Sequence, residues 1–512
     1  MRQSDTEEQP LPAAQVVGHD PSLREPLLRD GLLFWLEQRP QEGGRTTLLV
    51  RPAAQAGAEP LELTPPPWNL RSRVHAYGGG SYAVGGDTLV FVHDGDRCLW
   101  RCRLDPTSGR PLEPPAVLTS LGERAFADGQ IDAGHRRWIG VMEAEERDWL
   151  VAVPLGGGEP AVLHQPADFC GYACLSPDGG QLAWVEWQQP HMPWQRSQLW
   201  LAEVTAAGDL HNPRPVAGSG AADPRAVSVF QPLWLGAGEL VVASDASGWW
   251  NLQRLHIPSG RWEPLLPMAA EFAMPQWVYG MRTSAWDGRQ LIAAACREGA
   301  WELGRVNLEL GMVGSAGAWQ PLAVPFDDLA GLSAEAGRLV AVASSPTAPQ
   351  GLLELELASG QWQHTPVAPC PLAPEAISQP QAWWFAGHGG ARTHAWYYPP
   401  IGGPTAHSPL LVKGHSGPTG MARRGLSLAI QFWTSRGWGV VDVNYGGSTG
   451  FGKAYRERLD GQWGVADVAD CAAAARSLVA AGKASAARIA IEGGSAGGFT
   501  ALAALCFSDV FR

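Results

Sequence analysis

A recurring pattern of short apolar segments is the feature that most constrains the fold of this chain. From about residue 30 to residue 365, an apolar strand is followed by a polar turn, a second strand and a turn rich in Gly, Ser or Pro. The seven apolar strands begin at Gly31, Thr88, Arg136, Gln181, Glu239, Gln290 and Arg338. Their starts are 45 to 58 residues apart. A period of about 50 residues with four short strands in each unit is typical of a β-propeller, so the sequence predicts seven blades.

Turn chemistry and tryptophan content favour the same fold. Several units close with similar turns, as in DPTSGR (residues 105–110), IPSGRW (257–262) and LASGQW (357–362). Gly at the left-handed position of such a turn suits a hairpin or a connection between blades. The 24 tryptophans fit sheets packed face to face, because a large ring fills the wedge between blades. A pair of β-sandwiches would also show short strands at regular spacing, but regularity over seven units favours the propeller.

The pattern changes after a proline-rich stretch at residues 366–381. Residues 383–400 still fit a hairpin, whereas SPLLVKGH, GWGVVDVNY and ARIAIEGG are apolar strands separated by segments with apolar residues at helical spacing. This alternation of strand and helix predicts a parallel sheet. The expected organisation is an N-terminal segment (1–29), the propeller (30–365), a linker (366–381) and an α/β domain (382–512).

Charge and targeting signals exclude several classes of protein. The chain has 38 basic and 50 acidic residues, a net charge of −12, and no basic stretch to follow a phosphate backbone, so nucleic acid is excluded as a partner. The first residues, MRQSDTEEQPLPAAQ, lack the basic start and apolar run of a secretory signal. No segment approaches about eighteen uninterrupted apolar residues, the length that spans a membrane. We therefore expect a cytoplasmic protein without a membrane partner.

The cysteines give no metal-binding pattern. Eight are spread over the chain, which favours reduced thiols in a protein without an export signal. The pairs Cys98/Cys102 and Cys170/Cys174 have three residues between their members, whereas a zinc site would need tighter pairs with histidines nearby. The sequence predicts no metal and no other cofactor.

The strongest chemical signal is RIAIEGGSAGGFTALAALC, in which Gly493, Ser495 and Gly497 form Gly-x-Ser-x-Gly. The serine follows an apolar strand and precedes a helix rich in Ala and Leu, and Gly494 and Gly498 add small residues at the crossing. This is the setting of a nucleophile elbow, where a strained backbone raises the hydroxyl above the sheet of an α/β-hydrolase domain. Ser495 is therefore the candidate nucleophile, and a structural glycine-rich turn is the alternative.

A serine nucleophile needs backbone donors for the oxyanion that develops on the substrate. The first predicted donor is the N–H of Ala496, directly after the serine. The second should come from the loop KGHSGPTG (residues 413–420), which follows the strand PLLV. Within this loop Gly417 is the candidate, since glycine permits close approach of the backbone to a substrate. An ordinary Gly-Pro turn is the alternative.

Three motifs carry a resemblance to a known family: His-Ser-Gly-Pro (residues 415–418), Asn-Tyr-Gly-Gly-Ser-Thr-Gly-Phe-Gly (444–452) and Gly-Gly-Ser-Ala-Gly-Gly (493–498). They resemble the prolyl oligopeptidase family of serine peptidases, closest to its acylaminoacyl-peptidase and dipeptidyl-aminopeptidase-like branch. The resemblance implies a serine peptidase that acts on short peptides entering between a propeller and a hydrolase domain. That branch commonly has Gly in place of Ser416 and Arg in place of Gly446.

The same resemblance points to residues on the substrate side. His415 and Tyr445 belong to the matching motifs. Aminopeptidase members of the family grip a free amino terminus with paired glutamates of the propeller, and the candidate pair here is Glu145 and Glu146. Acidic residues between two strands are otherwise a solvated turn.

The residues after Ser495 contain no general base. A catalytic serine needs a histidine oriented by a carboxylate, and on this fold both follow the serine in sequence. The remaining seventeen residues include one acid, Asp509, and no histidine. His415 is the best placed earlier histidine, but its loop fits oxyanion-side shaping better than proton abstraction. We therefore expect an incomplete α/β-hydrolase domain, truncated at its carboxyl end and lacking the triad Asp and His.

Three functions remain open at this point. The first is a serine peptidase that forms an acyl-enzyme on Ser495. The second is a non-catalytic module in which the propeller binds peptides and the hydrolase domain is vestigial. The third is an esterase, since the same elbow serves ester hydrolysis, although a propeller would exclude large or membrane-bound substrates. The sequence leaves the oligomeric state and the residue preference open.

Overall fold

The computed structural model describes residues 10–18, 20–55, 57–309 and 317–512. Its first part is a ring of seven antiparallel sheets, each made of four strands that are consecutive in the sequence. This arrangement confirms the predicted seven-bladed β-propeller. The strands of blades 1 to 4 are β1 (Ser22–Arg29), β2 (Leu32–Arg39), β3 (Arg45–Pro52), β4 (Leu61–Glu62), β5 (Tyr82–Gly85), β6 (Thr88–Val92), β7 (Leu99–Arg103), β8 (Ala116–Val117), β9 (Ala125–Asp132), β10 (Arg137–Ala144), β11 (Arg147–Pro154), β12 (Ala161–His164), β13 (Phe169–Leu175), β14 (Gln181–Trp187), β15 (Gln198–Val204) and β16 (Leu210–Gly218). The strands of blades 5 to 7 are β17 (Val229–Gly236), β18 (Glu239–Ser244), β19 (Asn251–His256), β20 (Arg261–Pro264), β21 (Ser284–Trp286), β22 (Leu291–Arg297), β23 (Ala300–Val306), β24 (Trp319–Pro321), β25 (Asp328–Glu335), β26 (Arg338–Ser345), β27 (Ala348–Glu356) and β28 (Trp362–Pro366).

The apolar strands recognised in the sequence all occupy the same place in their blades. They are the second strands β2, β6, β10, β14, β18, β22 and β26. A second strand pairs along both edges, and its two faces pack against the two neighbouring blades. In β2, for example, Phe34 shares a buried cluster with Phe91 of blade 2, and Leu33 shares one with Val340 of blade 7. A strand that is covered on both faces is apolar along its whole length. Each blade contains one such strand, so these apolar segments repeat in the sequence with the spacing of the blades.

The innermost strands of five blades contain a β-bulge. The bulged residues with positive φ are Glu25, Asp128, Tyr172, Gln231 and Gly331. Some of these side chains bond the next blade, since Glu25 accepts the N–H of Gly80 at 3.0 Å and Gln231 accepts the N–H of Ser284 at 3.1 Å. Adjacent blades are therefore joined by polar contacts as well as by packing.

The first blade begins earlier than the sequence pattern indicated. Strand β1 starts at Ser22, so the propeller includes residues that were assigned to the N-terminal segment 1–29. The pattern missed this strand because Arg24, Glu25 and Pro26 lie at its bulge and interrupt the alternation of apolar and polar residues.

The second domain is built on a five-stranded sheet with the order β29-β30-β32-β31-β33. The first three strands in this order pair antiparallel, and β31 pairs parallel with both β32 and β33. The hairpin and the three parallel strands agree with the predicted α/β-hydrolase domain. The strands are β29 (Gln381–Ala386), β30 (Arg392–Tyr398), β31 (Leu410–Gly414), β32 (Gly439–Asn444) and β33 (Ile489–Gly493).

Five α-helices accompany the sheets in the described part of the chain. Single turns of 3-10 helix occupy Pro40–Glu42, Ile257–Ser259, Pro374–Ala376, His388–Gly390 and Glu457–Leu459. The α-helices are α1 (Ala13–Val16), α2 (Leu428–Thr434), α3 (Lys453–Arg456), α4 (Ala466–Ala480) and α5 (Ala496–Phe507). Among the described helices, none combines the length and the hydropathy needed to cross a bilayer.

The N-terminal helix docks on the hydrolase domain rather than on the propeller. The N–H of Leu11 donates to Ser435 Oγ at 3.3 Å, and the guanidinium of Arg436 donates to the carbonyl of Leu11 at 2.9 Å. Helix α1 packs against α2 in the same region. Two segments of chain therefore cross between the domains, one on each side of the propeller sequence.

Helix α5 has a broad apolar face on the surface. Its exposed side chains are Phe499 (51%), Leu502 (68%), Leu505 (52%) and Phe507 (84%). Trp463 extends the patch, since its ring lies 5.3 Å from that of Phe499. Strand β33, which precedes this helix, forms one edge of the described sheet.

A pair of glycine substitutions tests the packing of the propeller. A Cβ on Gly140 of β10 would lie 2.4 Å from the buried Trp138 ring and 2.8 Å from the carbonyl of Ala127. We expect Gly140→Ala to destabilise the protein by about 1 to 3 kcal/mol, since overpacking forces neighbouring groups apart. Gly236→Ala, at a strand position with open space around the Cβ, is the matched control. Equal midpoints of chemical denaturation for the two variants would contradict the packing of blade 3.

Candidate active site

Ser495 occupies a sharp turn between β33 and α5. Its backbone has φ 51° and ψ −117°, a conformation that costs a non-glycine residue energy. A Cβ on Gly493 would lie 2.3 Å from the carbonyl of Gly497, and one on Gly497 would lie 2.1 Å from the carbonyl oxygen of Gly414. Only glycine fits at both flanking positions, so the motif is required by the close approach of the elbow to the end of β31.

The loop after β31 lies beside this elbow. Gly417 has φ 68°, and the turn it begins is closed by the N–H of Gly420, which donates to the Gly417 carbonyl at 2.9 Å. Within the described part of the chain, neither the N–H of Gly417 nor the N–H of Ala496 donates a hydrogen bond. The parallel pairing of Gly414 with Gly493 places both donors at the same edge of the sheet. Two unpaired N–H groups there suit an oxyanion.

Ser416 connects the loop after β31 to the elbow. Its hydroxyl donates to the carbonyl oxygen of Gly494 at 3.1 Å, and a Cβ on Gly494 would come within 3.2 Å of the same hydroxyl. From the sequence alone, Ser416 is only a replacement for the glycine that is common in this branch of the family. No local pattern could show the contact, because its partners are 78 residues apart. Ser416 therefore fixes the loop relative to the elbow.

His415 is held inside its own loop. Its ring stacks on Tyr445 with centroids 4.2 Å apart, and its Nε2 lies 2.7 Å from Ser448 Oγ. Ser448 also donates to the Tyr445 carbonyl at 2.8 Å, and His415 Nδ1 lies 3.2 Å from the carbonyl oxygen of Ser416. Burial lowers the pKa of His415 to about 4. A neutral imidazole whose two ring nitrogens both contact groups of the surrounding loops shapes those loops.

Within the described residues, no base contacts the nucleophile. Among the residues that the structure describes, no side chain forms a hydrogen bond with the Ser495 hydroxyl. Asp509, the acid that follows the serine in sequence, pairs with Arg476 at 3.1 Å and is 92% exposed. The acid therefore lies on the surface and does not orient a histidine.

Gly446 stands where the branch commonly has arginine, and the structure shows what fills that space. A Cβ on Gly446 would meet the Cβ of Arg458 at 3.0 Å. The Arg458 guanidinium lies 4.0 Å from the centre of the Tyr455 ring. The N–H of Gly446 donates to Asp470 at 2.7 Å. Arg458 thus occupies the position beside this loop from a different point in the sequence.

The glutamates proposed for the substrate side lie on one hairpin of blade 3. Glu145 and Glu146 form the two-residue turn between β10 and β11, with φ values of 53° and 60°. Glu146 lines a cavity of about 380 Å³, whereas Glu145 lies outside it. Glu143, which the sequence analysis did not single out, lines the same cavity and accepts the N–H of His75 at 3.0 Å. The sequence around Glu143 does not indicate this role, because most other residues of the cavity lie far from it in the sequence.

The cavity with Glu143 and Glu146 is mainly aromatic. Its walls include His75, Tyr77, Phe169, Trp187, Trp277 and Tyr279. The side chains of Tyr77 and Trp277 are 63% and 41% exposed, and their ring centroids lie 4.8 Å apart. Gln195, which follows the cavity loop containing His191 and Met192, donates to Asp460 of the hydrolase domain at 3.2 Å. The cavity therefore lies on the side of the propeller that meets the hydrolase domain.

The chain is similar to a protein-family model at its carboxyl end and to a solved structure over almost its whole length. The model of the prolyl oligopeptidase family matches residues 424–512. A solved structure described as a puromycin-hydrolyzing peptidase of Mycobacterium tuberculosis superposes with a TM-score of 0.89 at 35% identity, covering 98% of this chain and 78% of that chain. The shared fold defines the class, a β-propeller followed by an α/β-hydrolase domain. The chain belongs to the prolyl oligopeptidase family.

Two curated relatives match part of the chain. Dipeptidyl peptidase family member 6 of Caenorhabditis elegans is 36% identical over 105 residues, which are 20% of this chain and 14% of the relative. Dipeptidyl aminopeptidase BIII of Pseudoxanthomonas mexicana is 36% identical over 104 residues, 20% of this chain and 15% of the relative. These matches span less than a sixth of each relative's own length.

A buried histidine lies behind the two loops. His394 in β30 is fully buried, and its Nδ1 accepts from Asn444 Nδ2 at 3.1 Å. Asn444 in turn accepts the N–H of Ala422 through Oδ1 at 2.8 Å. Burial lowers the pKa of His394 to about 3. This neutral imidazole supports the segment that follows the Gly417 loop.

The depressed pKa of His394 predicts a loss of stability in acid. An unfolded histidine has a pKa of about 6.5, so between pH 7 and pH 5 the unfolded chain takes up a proton that the folded chain does not. Over this interval we expect wild type to lose about 2 kcal/mol more unfolding free energy than His394→Gln. Buried carboxyl groups with raised pKa values act in the opposite direction but are common to both proteins. Parallel pH profiles from urea titration would contradict a neutral His394.

Proposed function

We propose that the whole protein hydrolyses peptide bonds of short peptides through an acyl-enzyme on Ser495. The observation that carries the proposal is the geometry at the carboxyl edge of the sheet. A serine in a strained turn stands beside the N–H groups of Ala496 and Gly417, both free to bind a developing negative charge. Family membership supports the same chemistry.

The reaction assigns one role to each group. Ser495 Oγ attacks the carbonyl carbon while its proton passes to a base, and the two N–H groups bind the oxyanion. The C–N bond then breaks, the amine leaves with the proton from the base, and water hydrolyses the acyl ester. Ser416 keeps the Gly417 loop in register with the elbow throughout, and His415 with Tyr445 shapes its far side.

We propose that the base and its carboxylate come from a segment outside residues 1–512 that packs over α5. The apolar surface of Phe499, Leu502 and Phe507 beside the edge strand β33 supports this placement, because a patch of this kind is normally covered. The puromycin-hydrolyzing relative, of which this chain covers 78%, supports the existence of further family sequence.

We further propose that Glu143 and Glu146 bind the free amino terminus of the substrate. Glu146, which lines the cavity, adopts a positive φ of 60°, where glycine or asparagine would be favoured, and such strain is retained mainly at functional positions. The aromatic walls suit an apolar or aromatic first residue. Puromycin, an amide of O-methyltyrosine with a free amino group, has both features.

The unpaired state of all eight cysteines fits the cytoplasm as the compartment.

Ser495→Ala tests the nucleophile. In the whole protein we expect the variant to lose covalent labelling by a fluorophosphonate probe and all peptide hydrolysis, with an unchanged circular dichroism spectrum, because the hydroxyl serves chemistry rather than packing. Labelling of a different serine would refute the assignment.

Wild-type hydrolysis of esters but not of amides would favour an esterase, and binding without hydrolysis would favour a non-catalytic module. Turnover by residues 1–512 alone that Ser495→Ala abolishes would place the base within them.

Substitution of the cavity glutamates tests the amino-terminal subsite. We expect Glu146→Gln and Glu143→Gln each to lower kcat/KM for a peptide with a free amino terminus by about 10- to 100-fold, since each removes a charge-assisted contact. The N-acetylated peptide should be affected little. Glu145→Gln, one residue away but outside the cavity, is the matched control and should behave as wild type. A larger effect of Glu145→Gln than of Glu146→Gln would contradict the subsite.

A further inference from the structure

The segment after the Gly417 loop rests directly on blade 7. The guanidinium of Arg423 bonds the carboxylate of Asp328 and also donates to the Leu329 carbonyl at 3.1 Å. The next residue, Arg424, pairs with Asp327 at 2.6 Å. These two ion pairs join the hydrolase domain to the start of β25. In sequence, Arg423 is only three residues beyond Gly420, where the turn that begins at Gly417 closes.

Backbone contacts make the same segment fit closely. The N–H of Leu426 donates to the Ser345 carbonyl at 2.9 Å. A Cβ on Gly425 would lie 2.4 Å from Ser344 Oγ and 2.6 Å from Asp328 Oδ2, so the chain lies against the blade without room for a side chain. Four consecutive residues therefore follow the surface of blade 7, and the segment cannot shift without breaking these contacts.

The other side of the Gly417 loop is also connected to the propeller. Thr449 donates through its N–H to the Gly420 carbonyl at 3.0 Å and through Oγ1 to the Thr419 carbonyl at 2.7 Å. A few residues later, the N–H of Gly452 donates to Glu271 after blade 5 at 3.0 Å. The loop is thus held between two segments that are each fixed on the propeller.

The second connection is a buried cluster of charges. Arg456 of α3 donates to Asp245 at 2.7 Å and lies over the Trp250 ring at 3.9 Å. The side chains of Asp245 and Glu271 are fully buried, and burial raises the pKa of both. Removing one partner from such a cluster leaves an unpaired buried charge, so this side of the interface resists separation.

We propose that Asp328 and Arg423 are positioning residues, which hold the Gly417 N–H in place for the oxyanion only when the propeller is docked on the hydrolase domain. This inference rests on the proposed function, in which Gly417 is an oxyanion donor. Neither side chain needs to touch the substrate. The donor acts mainly in the transition state, so loosening its loop lowers kcat and changes KM little.

The test uses the whole protein and the variant Asp328→Asn, with Glu263→Gln as a control. Glu263 belongs to an ion pair with Arg254 on the outer strand of blade 5 and contacts neither loop. We expect Asp328→Asn to lower kcat about 10- to 100-fold with a nearly constant KM, as small displacements of a catalytic group do. The control should retain both parameters. Asp328→Glu, which keeps the charge, should recover part of kcat.

Hydrogen–deuterium exchange separates this proposal from the proposed function. Amides of residues 415–427 should exchange faster in Asp328→Asn than in wild type, whether or not the protein hydrolyses peptides. Unchanged exchange there, or an unchanged kcat in a folded Asp328→Asn protein, overturns the positioning role. An inactive wild type with the expected exchange overturns the proposed function alone. If Asp328→Asn fails to fold, Arg423→Lys takes its place in the same comparison.

Discussion

The parallel pairing of β31 with β33 is the constraint on which the site depends. Its last pair joins Gly414 to Gly493, so both strands end at the same level and their loops meet. The approach of Gly497 to the Gly414 carbonyl is so close that a methyl group has no space, which requires glycine in the elbow and sets the direction in which α5 leaves the sheet. The nucleophile, the two free N–H groups and Ser416 all take their positions from this pairing.

The propeller reaches the same site from the opposite direction. Each blade uses four consecutive strands, so no strand is shared between blade 7 and blade 1, and their junction relies on packing and polar contacts. The N–H of Leu28 donates to Ser333 Oγ at 3.0 Å, and Glu335 accepts the N–H groups of Asp30 and Gly31 at 2.9 and 3.0 Å. Blade 7 therefore serves two interfaces, because its first strand also begins with the aspartate that holds Arg423.

The sequence revealed what is locally encoded. Strands buried on both faces gave the blade period, and small residues around Ser495 gave the elbow, since both features follow from neighbouring positions in the chain. Contacts between distant residues left no such trace. The bond from Ser416 to Gly494, the ion pair from Arg423 to Asp328 and the placement of Glu143 in the cavity each join separate parts of the fold. The start of β1 was missed for a local reason, because its bulge disrupts the alternation of residues.

The docking of α1 on α2 has a consequence for synthesis on the ribosome. Leu11 emerges early, but its partner Ser435 is 424 residues further along the chain. At ordinary elongation rates of about 5 to 20 residues per second, the amino terminus waits about 20 to 85 seconds for that surface to exist. All seven blades are made within this interval. The propeller can thus close before the segments on its two sides meet.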